Sequence, residues 1–162
     1  MAGLTLDRIL RTDAPAATLL IRIAVGGIFL SEGIQKFLYP GDLGAGRFEK
    51  MGFAAAAWVA PFVGCFEIVC GALLLAGLAT RLAAVPIAII MTVAIITTKI
   101  PILLGRDLGR FKVRTLDEYG FWSMAHEMRT DFAMLLGALF LLWVGGGLWS
   151  ADRIWRDRAG RS

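Results

Sequence analysis

Apolar residues run along this chain in long tracts separated by short charged segments, instead of alternating with polar positions. Four tracts stand out, at about 17–37, 58–79, 82–104 and 130–149. Each approaches the roughly 20 residues with which an α-helix crosses about 30 Å of hydrocarbon. A helix satisfies its own backbone hydrogen bonds in lipid, whereas an isolated strand does not, so all four tracts are predicted as membrane helices. The second and third are separated only by a turn around Thr80 and Arg81, which makes them antiparallel neighbours. Pro86 falls in the first turns of the third, and Pro101 near its end is expected to kink or terminate it. The expected fold is all-α: one domain over residues 1–162, an integral membrane four-helix bundle with both termini on the same side.

Between the tracts, Arg47 to Phe53 reads as a short surface helix. Gly105 to Arg129 is the longest non-spanning segment. Its later part, Tyr119 to Met128, is aromatic and Met-rich, and is expected to lie in the membrane interface or to lead into the fourth span. Ala14-Pro15-Ala16 precedes the first apolar tract, whereas a signal-peptide cleavage site would follow it, so that tract is expected to remain as a helix.

Composition agrees with this pattern. Hydrophobic residues make up 57% and charged residues 19%, with a mean hydropathy of +0.69, more apolar surface than a water-soluble domain of this length can bury. The net charge of +4 does not point to nucleic acid, because the basic residues flank the apolar tracts and no zinc-finger, helix-turn-helix or RNA-binding signature accompanies them. On the side of the termini lie Arg8, Arg11, Arg81, Arg153, Arg156, Arg158 and Arg161; on the other lie Arg47, Lys50, Arg106, Arg110, Lys112, Arg114 and Arg129. The counts are equal, but the tail is densest beside a span, which favours cytoplasmic termini. Trp58 then marks the outer interface, and Trp149 with Trp155 the inner one. Cys65 and Cys70 sit five residues apart, roughly 140° around a helix axis, poorly placed to bridge each other. They read as small packing residues.

The residues that carry candidate chemistry are the ionisable ones inside the spans: Arg22, Glu32, Lys36, Glu67 and Lys99, with Asp131 at an edge. A charge at the bilayer centre costs at least about 2.5–3.5 kcal/mol, so such groups normally face other helices and pair. At 1.5 Å per residue, Glu32 and Lys99 lie roughly 7 Å from the outer ends of their helices and Glu67 about 13 Å in. These and Lys36 share the outer half, while Arg22 lies in the inner half, able to reach Glu67 or to extend to the inner headgroups. Arg22, Gly26, Phe29, Gly33 and Lys36 share one stripe of the first span, and Ala60, Gly64, Glu67, Gly71 and Leu74 one stripe of the second. Glycines beside charges allow close helix approach, so the two stripes are expected to face each other and Lys99. Three readings stay open: a structural set in which Glu32 pairs with Lys36 and Glu67 with Arg22 or Lys99; a polar pocket for a quinone, a lipid headgroup or another small ligand; and a proton or ion path. His126, Glu127 and Asp131 offer too few ligands for a metal or haem site, and none is expected. Neither G-x-G-x-x-G nor a phosphate loop occurs.

These stripes, with Phe48-Glu49-Lys50-Met51-Gly52-Phe53, the run from Gly64 to Arg81, Met91, Asp131 and the Gly-rich exit from Gly145 to Asp152, resemble the DoxX family of small bacterial membrane proteins. The likeness extends over roughly Thr18 to Arg153, and the segment Gly105 to His126 is longer and more charged than the family pattern implies. The resemblance implies a four-helix protein of the bacterial inner membrane. Some members are associated with quinone-linked sulfur oxidation, others with membrane complexes that handle oxidative or thiol stress. The leading expectation is therefore a membrane subunit of a redox-linked complex that binds a quinone or lipid-like ligand near Glu32, Lys36, Glu67 and Lys99. Glu67 would accept a proton or hydrogen bond, and Lys99 or Lys36 would stabilise an anionic oxygen. No electron carrier is expected to be built into the chain, so electron chemistry would come from the quinone or a partner redox protein. The alternatives are a non-catalytic scaffold that uses Arg106 to Arg129, and a small transporter, for which four spans suffice only in a homo-oligomer.

Overall fold

The structure, a computed structural model, describes Thr12 and residues 14–159. Arg8, Arg11 and Arg161, counted above for orientation, lie outside the described residues. Helix α1 spans Thr18–Leu38, α2 Ala45–Lys50, α3 Ala56–Ala76 and α4 Thr80–Ala94. The chain continues from α4 without a break through a π-helical segment, Ile95–Lys99, into α5, Ile100–Leu104. Helix α6 spans Phe121–Val144 and α7 Ala151–Ala159. Among the described residues there is no strand, only an isolated bridge between Leu108 and Phe111.

Three segments are long and apolar enough to cross a membrane: Thr18–Leu38, Ala56–Ala76 and Thr80–Leu104. The fourth long helix, α6, is offset from its expected position. It begins at Phe121, so the aromatic, Met-rich stretch is its first turns, and it ends at Val144, where Gly145 takes a positive φ of 81°. Glu127, Arg129 and Asp131 thus fall within the helix, and its charge-free part is 132–144. Pro101 does not stop the third span. It sits in the first turn of α5, where its missing N–H is tolerated, directly after the π segment.

Helix α1 packs chiefly on α3, α4 on α6, and α3 joins the two pairs. The core combines Val25 and Phe29 of α1, Cys70 and Leu74 of α3, Ala83, Ala84 and Ile87 of α4, and Ala138 and Leu141 of α6. Outside this core the long helices display large apolar side chains, with Trp58, Trp122 and Trp143 more than four-fifths exposed. Apolar surface on this scale belongs in lipid. Cys65 is exposed and Cys70 buried, both free thiols, as their angular separation predicted.

Backbone contact explains the α1–α3 seam. A Cβ on Gly26 would lie 2.9 Å from the Gly71 carbonyl oxygen, and one on Gly33 2.8 Å from that of Gly64. The predicted stripes do face each other: Arg22, Gly26, Phe29 and Gly33 are buried on α1, and Ala60, Gly64, Glu67, Gly71 and Leu74 on α3.

The α3–α4 turn is closed by a Schellman arrangement, in which the Gly77 N–H donates to Leu74 O at 3.1 Å and the Leu78 N–H to Leu73 O at 3.0 Å. Ala79 is held at φ 48°, a left-handed conformation that costs a non-glycine residue about 1 kcal/mol or more. The Asp152 carboxylate fixes it there, accepting the Ala79 N–H at 2.6 Å and the Thr80 N–H at 2.9 Å. A carboxylate at the start of α4 also complements the positive end of its dipole.

At the opposite end, the loop after α5 folds over α2. The Lys112 N–H donates to Met51 O at 3.1 Å, Arg110 Nε donates to Gly52 O at 2.9 Å, and the Phe53 and Phe111 rings meet at 5.1 Å. Asp107 pins the loop, accepting from Lys112 Nζ and from the Val113 N–H, each at 2.8 Å. Those two bonds hold the Asp107 carboxyl below its ordinary range. A carboxylate depressed by folding contributes stability above its unfolded value, and that contribution fades as pH falls through the lower folded value. Hydrogen-exchange protection at Val113, corrected for intrinsic rates, is therefore expected to hold from pH 7 to about 5 and to decline below about pH 4. Asp107→Asn should remove that dependence.

Candidate functional site

The six ionisable residues that the spans carry resolve into three separate arrangements. In the first, Lys36 of α1 places Nζ 2.7 Å from Glu67 Oε2 on α3 and 3.9 Å from Glu32 Oε2 one turn earlier. The side chains of Lys36 and Glu67 are 9% and 4% exposed, that of Glu32 44%. Gly33 and Gly64 make this possible, because the helices touch there and leave two long side chains side by side along the seam. At 2.7 Å the Lys36 ammonium is the close ionic partner of Glu67 Oε2. Glu32 and Arg47 of α2 are near enough to act on Glu67 electrostatically. Two carboxylates thus share one lysine in the α1–α3 seam.

The second arrangement is an ion pair between Lys99 and Asp131 at 3.0 Å, with side chains 14% and 25% exposed. Lys99 closes the π segment, and Asp131 lies on α6. Close by on α6, Glu127 pairs with Arg114 of the loop after α5 at 3.0 Å. Among the described residues no ion pair joins Lys99 or Asp131 to Glu32, Lys36 or Glu67.

Arg22 forms the third, and here the expectation is corrected. Arg22 does not reach Glu67. Its Nε donates to Leu74 O at 2.8 Å, Nη2 to Leu75 O at 2.6 Å, and Nη1 to Gly146 O at 3.1 Å and Trp149 O at 2.6 Å. The side chain therefore caps carbonyls at the end of α3, sharing Leu74 O with the Gly77 N–H, and ties them to the segment after α6. Lys99 likewise does not meet Glu67; Lys36 takes that role, from the same helix face as Arg22. A planar fork with several donors suits clustered carbonyls better than a single carboxylate on a neighbouring helix. Asp152, within the Gly-rich exit, is the residue that sequence reasoning left without a role. It is 1% exposed, and its own N–H donates to Gly77 O at 2.9 Å. A buried Asp followed by Arg153 gives no periodic signal that could have assigned it to a distant turn.

An open apolar hollow of about 670 Å³ lies on α6, lined by Leu136, Leu139, Phe140, Leu142, Trp143 and Val144. It shares no residue with the three charged arrangements. Among the described residues no three His, Cys, Asp or Glu side chains gather as a metal-binding group.

Helices with lipid-suited surfaces, a glycine-lined seam and buried ion pairs define a helical membrane protein. The model of the DoxX family matches residues 17–100, which include α1, the α1–α3 seam, Glu32, Lys36, Glu67 and Lys99. A protein of Mycobacterium tuberculosis (strain ATCC 25618 / H37Rv) described as the uncharacterized membrane protein Rv3486 is 52% identical over 152 residues, covering 94% of this chain and 89% of that protein. The chain belongs to the DoxX family. No solved structure matches it.

Proposed function

We propose that the chain is one domain that crosses the bacterial inner membrane four times, with both termini in the cytoplasm, as the membrane subunit of a redox-linked complex. Helix α6 would supply the fourth crossing. Its charged residues would be carried by Lys99 and Arg114, each within 3.0 Å of an acidic partner. Support for same-side termini comes from Thr12 and Ala14, which bond to Gly147 and Leu148 next to α7.

The Glu32–Lys36–Glu67 arrangement is proposed to hold the headgroup of a quinone or a similar lipid-like ligand. The observation that carries this reading is the buried Lys36–Glu67 pair in the α1–α3 seam, with the half-exposed Glu32 carboxylate beside it. One ammonium serves two carboxylates there, and a ligand hydroxyl would donate to Glu67 alongside Lys36. Glu67 would accept that hydroxyl, Lys36 would hold an adjacent oxygen, and the exposed Glu32 would pass a proton toward the outer surface. A bound quinone would itself supply the electron chemistry. Lys99 and Asp131 would act as a separate pair, holding α6 to the third span.

Protein purified in mild detergent from native membranes is expected to retain quinone detectable by mass spectrometry. Glu67→Gln should lower quinone affinity about tenfold or more, the worth of one charge-assisted hydrogen bond. A wild-type protein that neither carries quinone nor binds added quinone would exclude this reading. A scaffold is the second reading, favoured by the outer loop that Arg110, Lys112 and Phe111 lock onto α2. It is distinguished by a co-purifying partner that is lost when residues 109–119 are deleted and retained in Glu67→Gln.

A further inference from the structure

Beyond α6 the chain ends in a helix whose two faces meet different surroundings. Ser150 starts it, its Oγ accepting the Arg153 N–H at 3.2 Å. Asp152 turns inward to the α3–α4 turn and fixes α7 at the level where α3 ends and α4 begins. At about 100° per residue, Ala151, Ile154, Trp155 and Arg158 fall within one arc of about 100°, centred roughly 110° away from Asp152. Ile154 and Trp155 are 56% and 57% exposed, and just before the helix Leu148 and Trp149 are 47% and 69% exposed.

We propose that α7 lies in the plane of the bilayer interface and that its arginines bind anionic phospholipid headgroups. Position is the first argument. The bonds of Asp152 hold the helix at the ends of two long apolar helices, where acyl chains give way to headgroups. The second is the residue set. Trp149 and Trp155 have rings suited to that boundary, and Ile154 adds an aliphatic contact beside them. Charge is the third. Arg153, Arg156 and Arg158 lie on nine residues, while Asp152 is spent on backbone N–H groups inside the protein. Asp157 is the remaining acid on the helix, and it bonds Arg153 at 3.1 Å. With Arg153 and Asp157 paired, the exposed Arg158 leaves the outward side of α7 positive. A phosphodiester headgroup complements this surface in both its charge and its apolar base.

The test is native mass spectrometry of the full-length protein, released from detergent that contains equal phosphatidylcholine and phosphatidylglycerol. Wild type is expected to retain phosphatidylglycerol in clear excess. Arg153→Gln/Arg158→Gln should reduce that excess at least about fivefold, whereas Arg106→Gln/Arg110→Gln on the outer loop should leave it unchanged. If the α7 variant does not fold, the salt response of the wild type decides the question. Its preference must fall steeply between about 0.05 and 0.5 M salt, as screening shortens the reach of the arginines. Equal retention of both lipids, a preference indifferent to salt, or a preference intact in the folded α7 variant overturns the proposal. So does an α7 variant that loses a dimer while wild type shows no lipid preference, which assigns this face to a second copy of the chain.

Discussion

Arg22→Met is expected to lower the melting temperature of the protein sharply and to reduce the amount that folds. The guanidinium, 2% exposed, satisfies carbonyls of Leu74, Leu75, Gly146 and Trp149 at once. Methionine fills much of the same volume and donates nothing. Leu75, Gly146 and Trp149 then lose this donor, Leu74 keeps only the Gly77 N–H, and α3 loses the cation at its negative dipole end. Each buried acceptor left without a donor costs about 1–3 kcal/mol, so several together cost several times that. That is a large share of the about 5–15 kcal/mol that holds an ordinary domain together. Arg22→Lys retains the charge and stem but not the planar fork, and should lose about 1–3 kcal/mol. Thermal unfolding of the purified protein in mild detergent orders the three forms as wild type, Lys, Met. A methionine variant that melts within a degree or two of wild type would mean that the carbonyls do not depend on this side chain.

Gly71→Ala carries the second large effect. The added methyl would sit 2.6 Å from the Leu30 backbone nitrogen and 2.8 Å from the Gly26 carbonyl oxygen. Backbone atoms within a helix cannot swing aside, so α1 and α3 must separate. Overpacking of this kind costs about 2–3 kcal/mol. The damage should spread along the seam, because Lys36 reaches Glu67 only while the helices stay in contact. Gly27 provides the control on α1, since a Cβ there meets nothing within 4 Å. Gly27→Ala should be neutral or stabilising by up to about 1 kcal/mol, as expected for alanine in place of glycine in a helix. Equal melting shifts for the two variants would show that the seam is not closely packed.

The α1–α3 seam was legible because three cues coincided: small residues, charges and a helical period. Gly26, Gly33, Gly64 and Gly71 mark where backbones meet, and the period places Lys36 and Glu67 on the same stripes. Pairing was less legible. Depth alone left Arg22 and Lys99 as partners for Glu67 and gave Lys36 to Glu32, because long cationic side chains span more distance than the uncertainty in helix ends. Arg22 has the reach to make the wrong choice plausible, and only the position of the Gly145–Ser150 turn shows where its donors go. The start of α6 was misplaced for a related reason. Hydropathy locates the apolar centre of a span, whereas the helix itself continues through Met128 and Glu127 to Gly120, which carries the positive φ. Asp152 acts across more than 70 residues of sequence on a turn whose own residues give no hint of it.

The π segment gives the third span its angular phase. A π turn accommodates one residue more than an α turn. In an unbroken α-helix Lys99 would point about 120° away from Ile87 around the axis; absorbing one residue brings the two to within about 20°. Ile87 faces the core and Lys99 faces Asp131, so one continuous helix aligns a hydrocarbon contact and an ionic one along the same line. Changes of length in 95–98 are therefore unequal in their harm. Losing one residue would turn the segment into ordinary α-helix and leave the ammonium group on the side of Asp131. Gaining one would swing it by about 100° toward the acyl chains, although the composition would hardly change.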